Sequence, residues 1–157
     1  MAQVTGAIAK SVYKAEVSTD GSTWTDVSGA AATVSVSGGD VLVGQQHTAD
    51  GGEAIVTTSN KVDPRDVTIR AVYTETDSEP WDVVWTRYQG ADKTIYVRWS
   101  PAGGASGDKR YVCAVGGSAA AVPITACMMP DLDSGSGDPA LFEFTVRTPG
   151  ILEETVA

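Results

Sequence analysis

At 157 residues the chain is long enough for one domain with its own core and too short for two. A hydrophobic share of 42% makes it neither disordered by composition nor membrane-like, and seventeen glycines beside many Val, Thr and Ser predict a β-rich fold. Twenty acidic against eleven basic residues leave a net charge of −9, which excludes gripping nucleic acid by phosphate neutralisation.

The acid gathers at the two ends. Residues 1–60 hold two lysines against six acids (−4), residues 61–127 balance eight against eight, and residues 128–157 hold one arginine against six acids (−5). Met-Ala-Gln-Val-Thr-Gly has no basic segment followed by an apolar run, so no signal peptide is expected, and no stretch approaches transmembrane length. Residues 1–10 are expected to be flexible and residues 149–157 to form a short acidic tail on a single domain spanning 1–157.

Val12–Val17 sets Tyr13, Ala15 and Val17 on one face and Lys14 and Glu16 on the other, a strand. A tight turn at Asp20-Gly21 follows, since Asp-Gly supplies the positive φ a short loop needs. A second short strand carrying Trp24 and Val27 completes a hairpin that stops at Gly29, with Trp24 expected on the core. Thr33–Val36 and Val41–Val43 are strands divided by Gly38-Gly39. Gly44–Glu53 reads as a long polar loop, and Ala54–Thr58 as the next strand. Val67–Thr74 alternates most clearly, with Val67, Ile69, Ala71 and Tyr73 on one side.

Ser78-Glu79-Pro80 reads as an N-cap with acid and proline in the first turn. Trp81, Val84, Trp85 and Tyr88 then fall at i, i+3, i+4 and i+7, one apolar stripe anchoring a helix over 79–89 that Gly90 ends. Three turns are too few to stand alone, so this helix docks on a sheet. Thr94–Trp99, Tyr111–Val115, Val122–Met128 and Leu141–Thr148 are further strands. The class is therefore mainly β (α+β): a β-sandwich or barrel with one flanking helix and long loops.

No catalytic constellation emerges. His47, the single histidine, sits in a polar loop without a neighbour to orient it. One His and two separated cysteines make no zinc site, and Cys113 and Cys127 read as small apolar-run thiols more than as a disulfide. Asp131-Leu-Asp133-Ser-Gly135 begins like a calcium loop, but Phe142 occupies its closing position, leaving an acidic surface loop. Asp63-Pro-Arg-Asp66 fits a turn into a strand, and Gly103–Lys109 lacks the ending of a phosphate loop. No catalytic residue, cofactor or metal is expected.

The order of pieces is distinctive. A hairpin, Ser-Thr-Asp-Gly-Ser-Thr-Trp-Thr-Asp-Val-Ser-Gly (18–29), precedes the Ser37-Gly38-Gly39 turn and the polar loop at 44–53. The strand Asp66-Val-Thr-Ile-Arg-Ala-Val-Tyr-Thr-Glu75 then leads through Ser78-Glu79-Pro80 into the aromatic helix. Over residues 10–150 this resembles the tail tube (major tail) proteins of long-tailed bacteriophages. The resemblance implies hexameric rings with an inner wall of joined sheet, stacked into a hollow tube that conducts DNA without binding it specifically. It implies a virion location after synthesis in the host cytoplasm, no membrane insertion, and contacts with tape measure, tail tip and terminator proteins. It also implies an inter-ring loop over Gly44–Asn60, whose candidate contacts are Gln45, Gln46, His47, Thr48, Asp50 and Glu53. The alternative is an immunoglobulin-like or lectin-like binding module, such as a virion surface decoration.

Overall fold

The computed structural model describes residues 5–157, which form twelve strands and one helix. In chain order these are β1 Lys14–Ser18, β2 Thr25–Asp26, β3 Ala31–Gly38, β4 Val41–Gln46, β5 Ile55–Val62, β6 Arg65–Val72, α1 Pro80–Gln89, β7 Thr94–Ser100, β8 Lys109–Val115, β9 Ser118–Ala119, β10 Val122–Met128, β11 Leu141–Thr148 and β12 Gly150–Thr155. Residues 1–4 of the expected flexible N-terminus lie outside the described residues.

Strict alternation builds the core. Val67, Ile69 and Ala71 of β6 and Phe142, Phe144 and Val146 of β11 are buried, while Thr68, Arg70, Glu143, Thr145 and Arg147 between them point the other way. One antiparallel sheet runs β10-β11-β6-β3, and a second runs β2-β1-β7-β8-β12 with β9 beside β8. They join where Val122 and Pro123 of β10 pair with Ile95 and Thr94 of β7. Val17, Val97 and Cys113 of the second sheet pack against Ile69, Phe142 and Phe144 of the first, which makes a β-sandwich. Burying one such aliphatic or aromatic side chain is worth about 1.5–3 kcal/mol. A bulge between Ile124 and Ala126 turns Cys127 inward opposite Phe144 and sends Met128 out to solvent.

The helix closes the end of the sandwich reached by the last residues of β6. Trp81 meets Phe142 and Tyr73 edge-on, with ring centroids 5.2 and 5.1 Å apart, and stacks on Trp85 at 4.9 Å. Trp81 and Val84 are buried, and Trp85 and Tyr88 pack partly buried against the same core. Arg87 donates to the Thr94 carbonyl at 2.6 Å and to Asp92 at 2.7 Å, fastening the helix to β7. The capping residue is Glu79, with Pro80 in the first turn; Ser78 stands outside the helix at φ +65 with its N–H held by Asp82. Gly90 ends the helix with extended backbone at φ −67, not a left-handed cap.

Two further expectations about the body need correction. The segment expected as an acidic tail is β12, which pairs along β8 from Gly150↔Ala114 to Thr155↔Lys109. Its acids are matched there: Arg110 reaches Glu154 and Lys109 reaches Glu153, both at 2.7 Å. Trp24, expected on the core, lies outside it. It packs edge-on to Tyr96, and the Arg98 guanidinium sits 3.8 Å from its ring centroid. Trp24 thereby covers a Glu16–Arg98 pair closed at 2.6 Å, with Glu16 only 8% exposed. Burial pushes the Glu16 carboxyl up, but Arg98 and Lys14 outweigh it and hold the group below its ordinary range. The Asp20-Gly21 turn forms as expected, with Asp20 accepting from the Ser22 and Thr23 amides at 2.8 Å. Gly21 is required twice over, by its φ of +75 and by the Tyr96 ring 3.0 Å from where a Cβ would stand.

Candidate assembly interface

β3 and β6 do not end where the sandwich ends. They continue as β4 and β5 into a two-stranded arm, roughly 20 Å long at the rise of an extended chain. The continuation bends at a fixed joint. Gly38 and Gly39 hold φ of +81 and +82, and a Cβ on Gly39 would stand 2.3 Å from Arg65 Nε. Across from them the Asp63 amide donates to the Asp40 carbonyl at 2.9 Å. The joint lies at the opposite end of β6 from the helix.

Along the arm Val43 pairs with Thr58, Gly44 with Thr57, Gln45 with Val56 and Gln46 with Ile55. Cross-strand partners share a face, so Val43 and Val56 lie on one side and Ile55, with Leu42, on the other. Among the described residues no part of the body covers either side: Val41, Leu42, Val43, Ile55, Val56 and Val62 are 48–63% exposed. Four carboxylates (Asp40, Asp50, Glu53, Asp63) against Lys61 give residues 39–64 a net charge of −3.

The residues expected at the contact are all exposed, but not all in a loop. Gly44, Gln45 and Gln46 belong to β4, which shortens the loop to 47–54. Gln45 and Gln46 face opposite sides of the ribbon. His47, Thr48, Asp50 and Glu53 occupy the tip, where only Thr48 and Asp50 come together, at 2.6 Å. That hydroxyl holds the Asp50 carboxyl below its ordinary range. The apolar residues of the arm were missed as contact candidates. Val41-Leu42-Val43 and Ile55-Val56 carried a signal, because consecutive apolar residues in a strand load both faces.

The outer face of the β10-β11-β6-β3 sheet has a different character. Ser35, Thr68 and Thr145 form a row across three strands, with the two threonine hydroxyls 2.9 Å apart. The next rows are Ser37–Asp66–Arg147 and Thr33–Arg70–Glu143. Arg147 bonds Asp66 at 2.8 Å and holds its carboxyl low. Each arginine of this face therefore stands in a row with one acid, and the face is hydroxyl-rich and neutral.

The groupings weighed for chemistry are not brought together. Asp63 is exposed at the arm joint while Asp66 is engaged by Arg147. Cys113 and Cys127 are free thiols, pushed up by burial to about 12 and about 11. Among the described residues no three His, Cys, Asp or Glu side chains are placed to hold a metal ion, and no helix is long and apolar enough to cross a membrane.

No family model and no curated protein matches the sequence. Solved structures share the fold along nearly its whole length. A chain from the PVC sheath–tube complex, an extracellular contractile injection system in its extended state, superposes with a TM-score of 0.61 at 16% identity, covering 98% of this chain and 95% of that one. A chain from the baseplate of the anti-feeding prophage gives 0.66 at 11% identity over 98% and 99%. A chain from the tail of an empty GTA particle gives 0.52 at 12% identity over 96% and 100%. The chain thus has the tail-tube type of fold, a mainly β sandwich with one helix.

Proposed function

We propose that this chain is a structural protein of a phage-like particle, whose copies form six-membered rings stacked into a hollow tail tube that carries DNA. The arm carries this reading. A two-stranded ribbon with apolar residues on both faces is marginal in water, and here its own chain leaves it uncovered. A neighbouring copy is the cover that a self-assembling protein always has at hand. An interface between two different patches closes into a ring when its rotation closes and extends into a filament when it does not.

The neutral, hydroxyl-rich sheet face suits the wall of the bore. It offers no net positive charge to retain phosphates, and the chain as a whole repels them. Tape measure, tail tip and terminator proteins are the partners this role brings, with the virion as its location.

Sedimentation with negative-stain microscopy of the purified chain tests the reading. Rings or striated hollow filaments are expected at high concentration. A strictly monomeric protein at every concentration, or one that binds a glycan as a monomer, overturns it in favour of a binding module. Deleting residues 46–52 is expected to leave the body folded and to stop stacking.

A further inference from the structure

The end of the sandwich beside the arm joint is open. Between the edge strand β3 and the segment preceding β1 lies a groove of about 520 Å³, lined by Val34 and Val36 from β3, by Ile8 and Tyr13 from that segment, and by Trp99 and Pro101. Tyr13 spans it by donating to the Ala31 carbonyl at 2.8 Å. The lining is apolar but open to water: Ile8 is 57% and Val36 42% exposed. Among the described residues the edge of β3 facing the groove has no strand beside it, since there β3 pairs with β6 alone. Lys10 lies in the groove wall and Arg65 in the adjoining hollow, which also contains Trp99 and Glu153, the latter already engaged by Lys109 at 2.7 Å. Among the described residues neither cation meets a carboxylate.

We propose that this groove receives the β4–β5 arm of a second copy of the chain. Resting on the tube reading above, it names the receptor surface that reading leaves open. The arm offers what would cover the groove: Val and Ile side chains to set against Ile8 and Val36, a free strand edge to pair with that of β3, and a net charge of −3 to set against Lys10 and Arg65. The chain's own arm does not fill the groove, because no residue of 40–62 lines it. Arm and groove are different patches of one molecule. Each copy that gives an arm therefore still presents a groove, and the contact propagates. An unpaired edge strand beside an apolar hollow is the setting in which an incoming ribbon extends a sheet.

Mixed-copy cross-linking tests the assignment. One batch carries Val56→Cys on the arm and a second carries Val36→Cys in the groove, both at exposed positions outside the buried core. After mixing under assembly conditions and adding a short bis-maleimide, a cross-linked dimer is expected from the mixture at several times the yield of either batch alone. Equal yield from the Val56→Cys batch alone means arm-to-arm pairing and overturns the proposal. So does a Val56→Cys batch that cross-links to Leu132→Cys at the opposite end of the sandwich and not to Val36→Cys. Rings or filaments seen by microscopy without the arm–groove product overturn this inference and leave the tube reading standing. Monomers throughout, with no cross-link, overturn both.

Discussion

Body and arm are made of the same residues, yet the same valines have opposite surroundings. Val67 and Val146 have no exposed surface, whereas Val43 and Val56 expose 58% and 63%. In the body each strand hides one face and wets the other, so its cohesion is internal. In the arm both faces are wet, so little of its cohesion comes from packing inside the chain, and under the proposal above a second copy supplies the rest. Substitutions separate these two kinds of stability.

The largest effect is expected in the body. Phe144→Ala empties a fully packed site between the two sheets and costs about 3–5 kcal/mol, measured by denaturant unfolding. Glu16→Gln comes next, at roughly 1–3 kcal/mol, because it leaves Arg98 without its charged acceptor under Trp24. Its cost depends on pH. The folded carboxyl is held below its ordinary value of 4.5, so its contribution is present above that pH and is lost as pH falls through the folded value. The gap between native protein and variant is therefore expected to narrow as unfolding is measured from about pH 6 down to about pH 3.

Gly39→Ala acts at the joint. Left-handed backbone with a Cβ costs about 1–2 kcal/mol, and the new methyl also displaces Arg65. Adding Arg65→Ala relieves the collision but leaves the backbone strain and removes one of the two cations proposed to face the arm, so assembly is expected to recover only in part, as read by sedimentation. Val43→Ala is the smallest in the isolated chain, within about 0.5 kcal/mol by unfolding. Its effect should grow on assembly, together with slower amide exchange over 41–46 and 55–62.

The sequence disclosed what is encoded locally. The helix emerged from Pro80 and the spacing of Trp81, Val84, Trp85 and Tyr88, and β11 from the alternation of Phe142, Phe144 and Val146 within a few residues. What depends on a distant partner was hidden. Gly150–Thr155 places Ile-Leu beside Glu-Glu, which alternates poorly and resembles a tail until Arg110 stands opposite Glu154 and Lys109 reaches diagonally to Glu153. Trp24 met the same difficulty, since the face it occupies is set by Arg98, far along the chain. In the arm, Gly44-Gln45-Gln46 carries no apolar alternation of its own and becomes strand only because Ile55–Thr58 lies in register beside it.

The bulge that turns Cys127 inward has a practical consequence. With Cys113 deep in the sandwich, it leaves both native sulfurs protonated at neutral pH, their pKa values raised to about 11 and about 12. A new cysteine at an exposed position would then be the one fast nucleophile on a quiet background. Dyes, spin labels or cargo could be attached there at one defined point per copy, without first replacing the residues the fold already uses.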